Sequence, residues 1–445
     1  MPRRGGLLAA ALVLCFVQAA SAAQYILRTA SGANLSPILS SYGLVLVKSI
    51  TDDGRTVFLV SDGTGPVSSS LVSQVSADPS VVSFEPDQEI QSSDTPPAAQ
   101  PVANPAALAA AIQDHAVVQY YGAPVRESYV LQPALSLIHD PQVLSSYATG
   151  AGIVAVIDTG VDPNHPALRG VLVPGYDFTR DQPGFASELA DLNQSTVAIL
   201  DQSTVAILDK NFGLVLNQST VAILDQSTVA ILDGSKLPSD FGHGTMVAGL
   251  IHLVAPTAQI MPLKAFAADG SADLSNIVRA IYYAVDHGAS VINMSFSSPV
   301  LSPSLSDAIA YAASHRVMCF ASAGNGGSRV VVYPAAIQGV IGVGSTSLLD
   351  KRSPFSNYDT ASVRMAAPGE ALITTYPGNN YAGVWGTSFS TALSSGAAAL
   401  LLQVKPRIYG GLSDALEHGH PLDIGMGDAR LDVLSSVLYC LLPHD

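Results

Sequence analysis

Beyond Gly150 the chain alternates short, largely apolar runs with stretches of helical periodicity, and few folds accommodate that alternation. IVAVI (153–157), QIMPLKAF (259–266), SVINMSF (290–296), RVMCFASAG (316–324) and VIGVGS (340–345) have no polar face of period two. Strands of this kind are buried on both sides, as in a parallel sheet with helices on its front and back. NIVRAIYYAVDHG (276–288) and SLSDAIAYAASHR (304–316) carry apolar residues at helical spacing and read as covering helices. The expected fold class is α/β, a three-layer parallel-sheet domain. In such sheets the site lies beyond the carboxyl ends of the strands, which is where Asp158 falls, directly after the first run.

Upstream the pattern differs. Residues 1–23, MPRRGGLLAAALVLCFVQAASAA, have a basic start, an apolar run and small residues at the end, the pattern of a secretory signal peptide. Residues 24–91 read as strand, helix, two strands, helix and strand, which predicts a small α+β, ferredoxin-like unit. Residues 92–146 begin rich in Pro and Ala and are expected as a linker and N-terminal arm before a main domain over 147–445. One segment breaks the plan. QSTVAILD recurs at Gln194, Gln202, Gln218 and Gln226, so a tandem-repeat insertion fills 192–233. Two readings of it stay open, a β-rich appendage and an expansion tolerated in a surface loop.

Four residues carry chemistry. Asp158 stands in AVIDTGVD, His243 in FGHGTMVAG, Asn325 in ASAGNGG and Ser388 in WGTSFSTALSSG. A serine hydroxyl is a poor nucleophile until a base lies within hydrogen-bond reach, and the base needs an orienting partner. Ser388 fits the nucleophile, His243 the general base, Asp158 the carboxylate that fixes the imidazole, and Asn325 a donor to an oxyanion. GHGT and GTS each precede an apolar helical run, so His243 and Ser388 are both expected at helix N-termini. A GxSxG hydrolase elbow is excluded, because the serine comes last in chain order and GTSFS lacks the final glycine.

DTGVDPNHP, GHGTMVAG, VINMSF, ASAGN and GTSFST together resemble the subtilisin family, the subtilases, over roughly Tyr147 to Val437. The resemblance implies a subtilisin-like catalytic domain, a serine endopeptidase acting on polypeptide, and a propeptide over 24–91 that assists folding and blocks the site until removed. It also implies substrate-binding backbone at Ser295, Phe296 and Ser297 and at Gly270, Ser271 and Ala272, with Ala321, Ser322 and Ala323 lining the primary specificity pocket. The chain departs from the family pattern at Met246, Ser390 and Ala392, none of them among the four, and at Val332, where relatives often carry glycine. A relative whose site has drifted, acting as a secreted binding or scaffold protein, is the alternative.

Composition narrows the partners. With 12% charged and 48% apolar residues the chain is not generally disordered, and a formal charge of −15 argues against nucleic acid or an anionic membrane. The expected protein is secreted, free of the membrane after signal removal, monomeric, and partnered by its substrate and its own propeptide. No chemical cofactor is expected. No calcium site is expected after the His243 helix, where only LIHLV separates Gly249 from Ala255, and a structural calcium elsewhere stays open. Cys319 and Cys440, left after the signal, do not form a disulfide framework. His418 and His420 have too few neighbouring ligands for a metal site, His165, His252, His287 and His315 read as surface or packing residues, and Asp162 reads as part of a turn.

Overall fold

The computed structural model describes residues 22–51, 56–63, 65–91, 114–192, 222–223, 238, 240–422 and 425–442. All but the end of the expected signal peptide, the Pro/Ala-rich part of the linker and nearly all of the repeat insertion lie outside the described residues. The chain forms two units that divide between Pro86 and Asp87.

The first unit runs β1 (Gln24–Thr29), α1 (Leu35–Tyr42), β2 (Val45–Ser49), β3 (Val57–Ser61), α2 (Ser69–Ser76) and β4 (Val81–Pro86), in the order expected. Its sheet is antiparallel, β2-β3-β1-β4. Side-chain caps fix both helix starts: Asn34 Oδ1 accepts from Ser36 N (3.1 Å) and Ser68 Oγ from Leu71 N (3.2 Å). Alternate residues of β1, Tyr25 and Leu27, point into a core with Ile38, Val60, Val75 and Phe84.

The second unit opens with β5 (Glu89–Gln91), the hairpin β6 (Val117–Tyr120) and β7 (Ala123–Arg126), and three short helices (Glu127–Val130, Pro133–Leu137, Asp140–Ser146). There follow β8 (Ile153–Asp158), β9 (Gly175–Asp177), β10 (Gln182–Gly184), β11 (Ala222–Ile223), α3 (His243–Val254), β12 (Gln259–Lys264), β13 (Ser271–Asp273), α4 (Leu274–Asp286) and β14 (Val291–Met294). The chain continues through α5 (Pro303–Ser314), β15 (Met318–Ser322), β16 (Val340–Thr346), β17 (Met365–Pro368), β18 (Leu372–Tyr376), β19 (Asn380–Val384) and α6 (Thr387–Val404). It closes with β20 (His420–Pro421), β21 (Ala429–Arg430) and α7 (Val433–Leu441).

The main sheet has the order β10-β9-β12-β8-β14-β15-β16-β17-β21-β20. Every neighbour from β9 to β21 is parallel, and the edge strands β10 and β20 are antiparallel. The apolar runs behave as their composition requires: Val154 to Ile157, Ile292 and Phe320 are all shut off from solvent. From β8 the chain steps to β12 on one side and then to β14 on the other, so strand order reverses at β8 and β14. A crevice at the carboxyl ends of these two strands follows from the reversal.

Two boundaries differ from the sequence expectation. Residues 114–146, expected as linker and arm, lie in the main core: Tyr129, Ile138 and Val143 are fully buried there. Tyr120 and Tyr129 donate to the Leu253 and Gly249 carbonyls of α3, each at 2.6 Å. Gln132 pairs with Ile373 like a strand neighbour, through Nε2 to O (2.7 Å) and N to Oε1 (3.0 Å). Residues 87–91, expected with the first unit, belong to the second, because β5 pairs with β13. Among the described residues no helix is long and apolar enough to cross a membrane.

Replacing Tyr129 with Phe keeps the ring and removes the donor to a buried carbonyl. The expected cost is about 1–3 kcal/mol, read as a lower urea midpoint at unchanged slope. An unaltered midpoint would mean that the arm's hydroxyl contributes nothing to the core.

Candidate active site

Asp158 ends β8 and is 3% exposed. Its Oδ1 accepts from Thr159 N (2.8 Å) and from His243 Nδ1 (2.8 Å), with Oδ2 3.0 Å from the same nitrogen. Because Nδ1 faces a carboxylate it carries the proton, which leaves Nε2 of the neutral ring as an acceptor. His243 is the first residue of α3, and His243 N donates to Asp240 O (3.0 Å). The next residue must be glycine, since a Cβ on Gly244 would stand 2.0 Å from Gly160 O. That close approach lets Gly244 N reach Thr159 Oγ1 (3.0 Å), one residue beyond Asp158. Thr245 adds a second tie: its hydroxyl accepts from Asp162 N (2.8 Å) and donates to Glu188 Oε1.

Two opposing influences act on the imidazole. Burial penalises its charged form, while the charge and hydrogen bond of Asp158, and the charges of Asp240 and Glu188, favour it; the net pKa is raised above the usual 6.5. A raised histidine pKa contributes stability fully present below the unfolded value of about 6.5 and lost as pH climbs through the folded one.

Ser388 is the second residue of α6 and is 6% exposed. Its Oγ donates to Ser295 O (3.3 Å), and Ser295 Oγ donates back to Ser388 O (3.1 Å), so the chain leaving β14 is pinned to the start of α6. The Phe389 ring lies 5.6 Å from that of His243, which keeps the starts of the two helices in one neighbourhood. Gly386 before them has φ 149 and ψ 155, a conformation that favours glycine. Asn325 follows β15, and its Oδ1 accepts from Thr387 N and Thr387 Oγ1, both at 2.9 Å. This orients the amide with Nδ2 as its donor end, 3.7 Å from where a Cβ on Gly386 would stand.

The residues expected to bind substrate fall on three elements. Ser295, Phe296 and Ser297 follow β14 and are buried, and Ala321, Ser322 and Ala323 close β15 and lead to Asn325. Gly270 precedes β13, and Ser271 and Ala272 pair antiparallel with Gln91 and Ile90 of β5. Asp87 caps α4, accepting from Ser275 N (2.8 Å) and Ser275 Oγ (2.7 Å). Of the departures from the family pattern, Met246 and Ala392 are core residues, Val332 is buried, and Ser390 Oγ donates to Ala367 O (3.0 Å). His165 and His252 are buried with pKa values pushed down to about 4 by desolvation, while His420 lies on the surface, 3.4 Å from Asp350.

Sequence reading passes over a set of groups beneath the site. Lys264, a single charge inside the run QIMPLKAF, is fully buried, and its Nζ donates to Thr159 O (2.8 Å), Phe266 O (2.7 Å) and Asp191 Oδ2 (2.7 Å). Asp191 Oδ2 also accepts from Ala268 N (2.8 Å), while Ala268 O accepts from Asp240 N (3.0 Å). The segments that enter and leave the repeat insertion are thus both fastened to one residue.

Residues 150–415 match the subtilase family. This chain belongs to that family. It is 34% identical over 248 residues to the Thermophilic serine proteinase of Bacillus sp. (strain AK1), a match covering 56% of this chain and 51% of that protein. It is 38% identical over 174 residues to Subtilisin BL of Lederbergia lenta, covering 37% of this chain and 64% of that one. Against the Major intracellular serine protease of Bacillus subtilis (strain 168) it is 30% identical over 287 residues, 61% of this chain and 75% of the relative. The chain thus spans about half the length of the first of these relatives and less than two thirds of the second. The structure of fervidolysin from Fervidobacterium pennivorans, a keratinolytic enzyme related to subtilisin, superposes with a TM-score of 0.67 at 20% identity over 94% of this chain and 61% of that one, a likeness of fold.

In an Asp158→Asn variant the charge and the charged hydrogen bond are lost while burial remains. The imidazole of His243, followed by NMR, should then titrate below 6.5 rather than above it. A midpoint unchanged by the substitution would mean that Asp158 does not set the state of the ring.

Proposed function

We propose that this chain is a serine endopeptidase of subtilisin type, exported as a precursor and matured by removal of its propeptide. The observation that carries the reading is the buried Asp158–His243 pair at the mouth of α3, beside the serine that opens α6. In the reaction Ser388 Oγ leaves Ser295 O, gives its proton to His243 Nε2 and attacks a peptide carbonyl. Asp158 holds the ring and stabilises the imidazolium that forms. The oxyanion accepts from Asn325 Nδ2 and Ser388 N, each such donor being worth about 10²–10³ in rate. His243 then protonates the leaving amine, and water hydrolyses the acyl-enzyme by the reverse relay. Polypeptide is the substrate, with β13 and the chain at Ser295–Ser297 as the edges against which an extended segment pairs.

The precursor reading draws on two further observations. Residues 1–23 have the composition of an export signal. Residues 89–91 occupy the β13 edge that a substrate strand would take, held there by Asp87 on α4, so the chain entering the second unit is suited to block its own site. Removing it must spare residues 114–146, which supply core side chains. The maturation cut therefore falls within residues 92–113.

A fluorophosphonate probe tests the chemistry. It should label the mature protein and fail to label Ser388→Ala. Labelling that persists in the variant would sink the assignment, and a mature protein that is never labelled would favour the drifted scaffold. N-terminal sequencing of the mature form tests the maturation step, with a first residue later than Asp114 as the contrary result.

A further inference from the structure

Glu188 is an acid with no surface. It is fully buried in a short turn, Glu188–Asp191, just before the repeat insertion, and no sequence motif surrounds it. Its Oε1 accepts from Thr245 Oγ1, and its Oε2 has no hydrogen-bond partner among the described residues. The turn cannot drift: Ala186 O accepts from Val161 N (2.9 Å), and Asp191 is fixed by Lys264 and Ala268 N. Glu188 thus stands at a defined point below the first turn of α3, against the loop that leaves Asp158.

We propose that Glu188 is a positioning residue for His243: through Thr245 it locks the first turn of α3 to the loop Asp158–Asp162, and its charge state adds to the field at the imidazole. Thr245 is the joint, since one hydroxyl takes a hydrogen bond from Asp162 N and gives one to Glu188. Without the carboxyl the hydroxyl is free to turn, and the first turn of α3 is held to this loop mainly by Gly244 N on Thr159 Oγ1 and by the His243–Asp158 contact itself. The charged and titratable groups that face Glu188 are Asp162 after β8, Lys264 at the end of β12, Tyr376 at the end of β18 and His243 on α3. Burial pushes the carboxyl up to about 8, against the Thr245 hydrogen bond and Lys264, with the charge of Asp162 adding to the rise. Below that pH the imidazole feels Asp158 and Asp240, and above it a further negative charge arrives that favours the imidazolium formed during attack.

The inference rests on the peptidase reading, and its test separates the two. Glu188→Gln keeps the acceptor and removes the charge. In a Ser388→Ala background the NMR titration of His243 should show a second inflection near pH 8, which Glu188→Gln abolishes. In the active enzyme Glu188→Gln should lower kcat at alkaline pH by about three- to tenfold with KM little changed, Thr245→Val should do the same, and Thr245→Ser should restore the rate. Superimposable titrations, or a loss confined to KM or to melting temperature, would overturn the proposal. Should Glu188→Gln not fold, Thr245→Val decides by the same kcat measurement, and an unaltered kcat counts against the proposal. If the unmodified protein cleaves no peptide the peptidase reading falls, and the imidazole titration still decides this one.

Discussion

The geometry of this site depends on keeping an imidazole and a carboxylate in contact where water does not reach. Burial alone would discharge the ring, and a lone buried carboxylate would be costlier still. Each makes the other tolerable, and the surrounding backbone exists to hold them together: Thr159 N on the carboxylate, Asp240 O on the start of the helix, Gly244 N on Thr159. The arrangement opposes two demands. The fold gains from a protonated His243, whereas the general base proposed at this position must be neutral, so the pH at which this pair stabilises most lies below that at which the proposed base would act.

Topology places both halves of the site at one location. Strand order reverses between β8 and β14, so the chain emerging from β8 brings Asp158 and the chain emerging from β14 brings Ser295 to the same crevice. The helices α3 and α6 begin there, and each presents a candidate side chain, His243 or Ser388, among the unpaired N–H groups of its first turn. The amide that orients Asn325 is itself one of these, Thr387 N. A helix start serves here as both a mounting and a source of positive potential.

How much of this could be read in advance varied with the distance over which each contact is made. Asp158, His243, Asn325 and Ser388 announce themselves because each sits in a local pattern of glycines and apolar runs that fixes its immediate geometry, and the buried strands announce themselves by lacking polar faces. Glu188 does not, because FASELAD looks like any exposed turn and its partner Thr245 lies beyond the repeats. Lys264 is visible as an odd charge in a strand, yet only the fold reveals that two carbonyls and Asp191 surround it. The stretch 114–146 is masked by the Pro- and Ala-rich residues before it, and its worth resides in single side chains, Tyr120, Tyr129 and Gln132, that bond to distant backbone. Strand β5 is legible as extended, but its pairing with β13 is a tertiary choice that alternation cannot express.

The clasp on Ala268 has a consequence for how this chain can change over generations. With the entering segment fastened to its N–H and the leaving segment to its carbonyl, the distance between the two feet is set by one residue and not by what is strung between them. Adding or deleting an eight-residue QSTVAILD unit leaves both feet in place, at a loop-closure cost of about 0.6 kcal/mol per doubling of length, but must keep residues such as Ala222 and Ile223 paired with β19. The two feet thereby uncouple the length of the insertion from the positions of Asp191 and Asp240, and so from the residues of the site beside them.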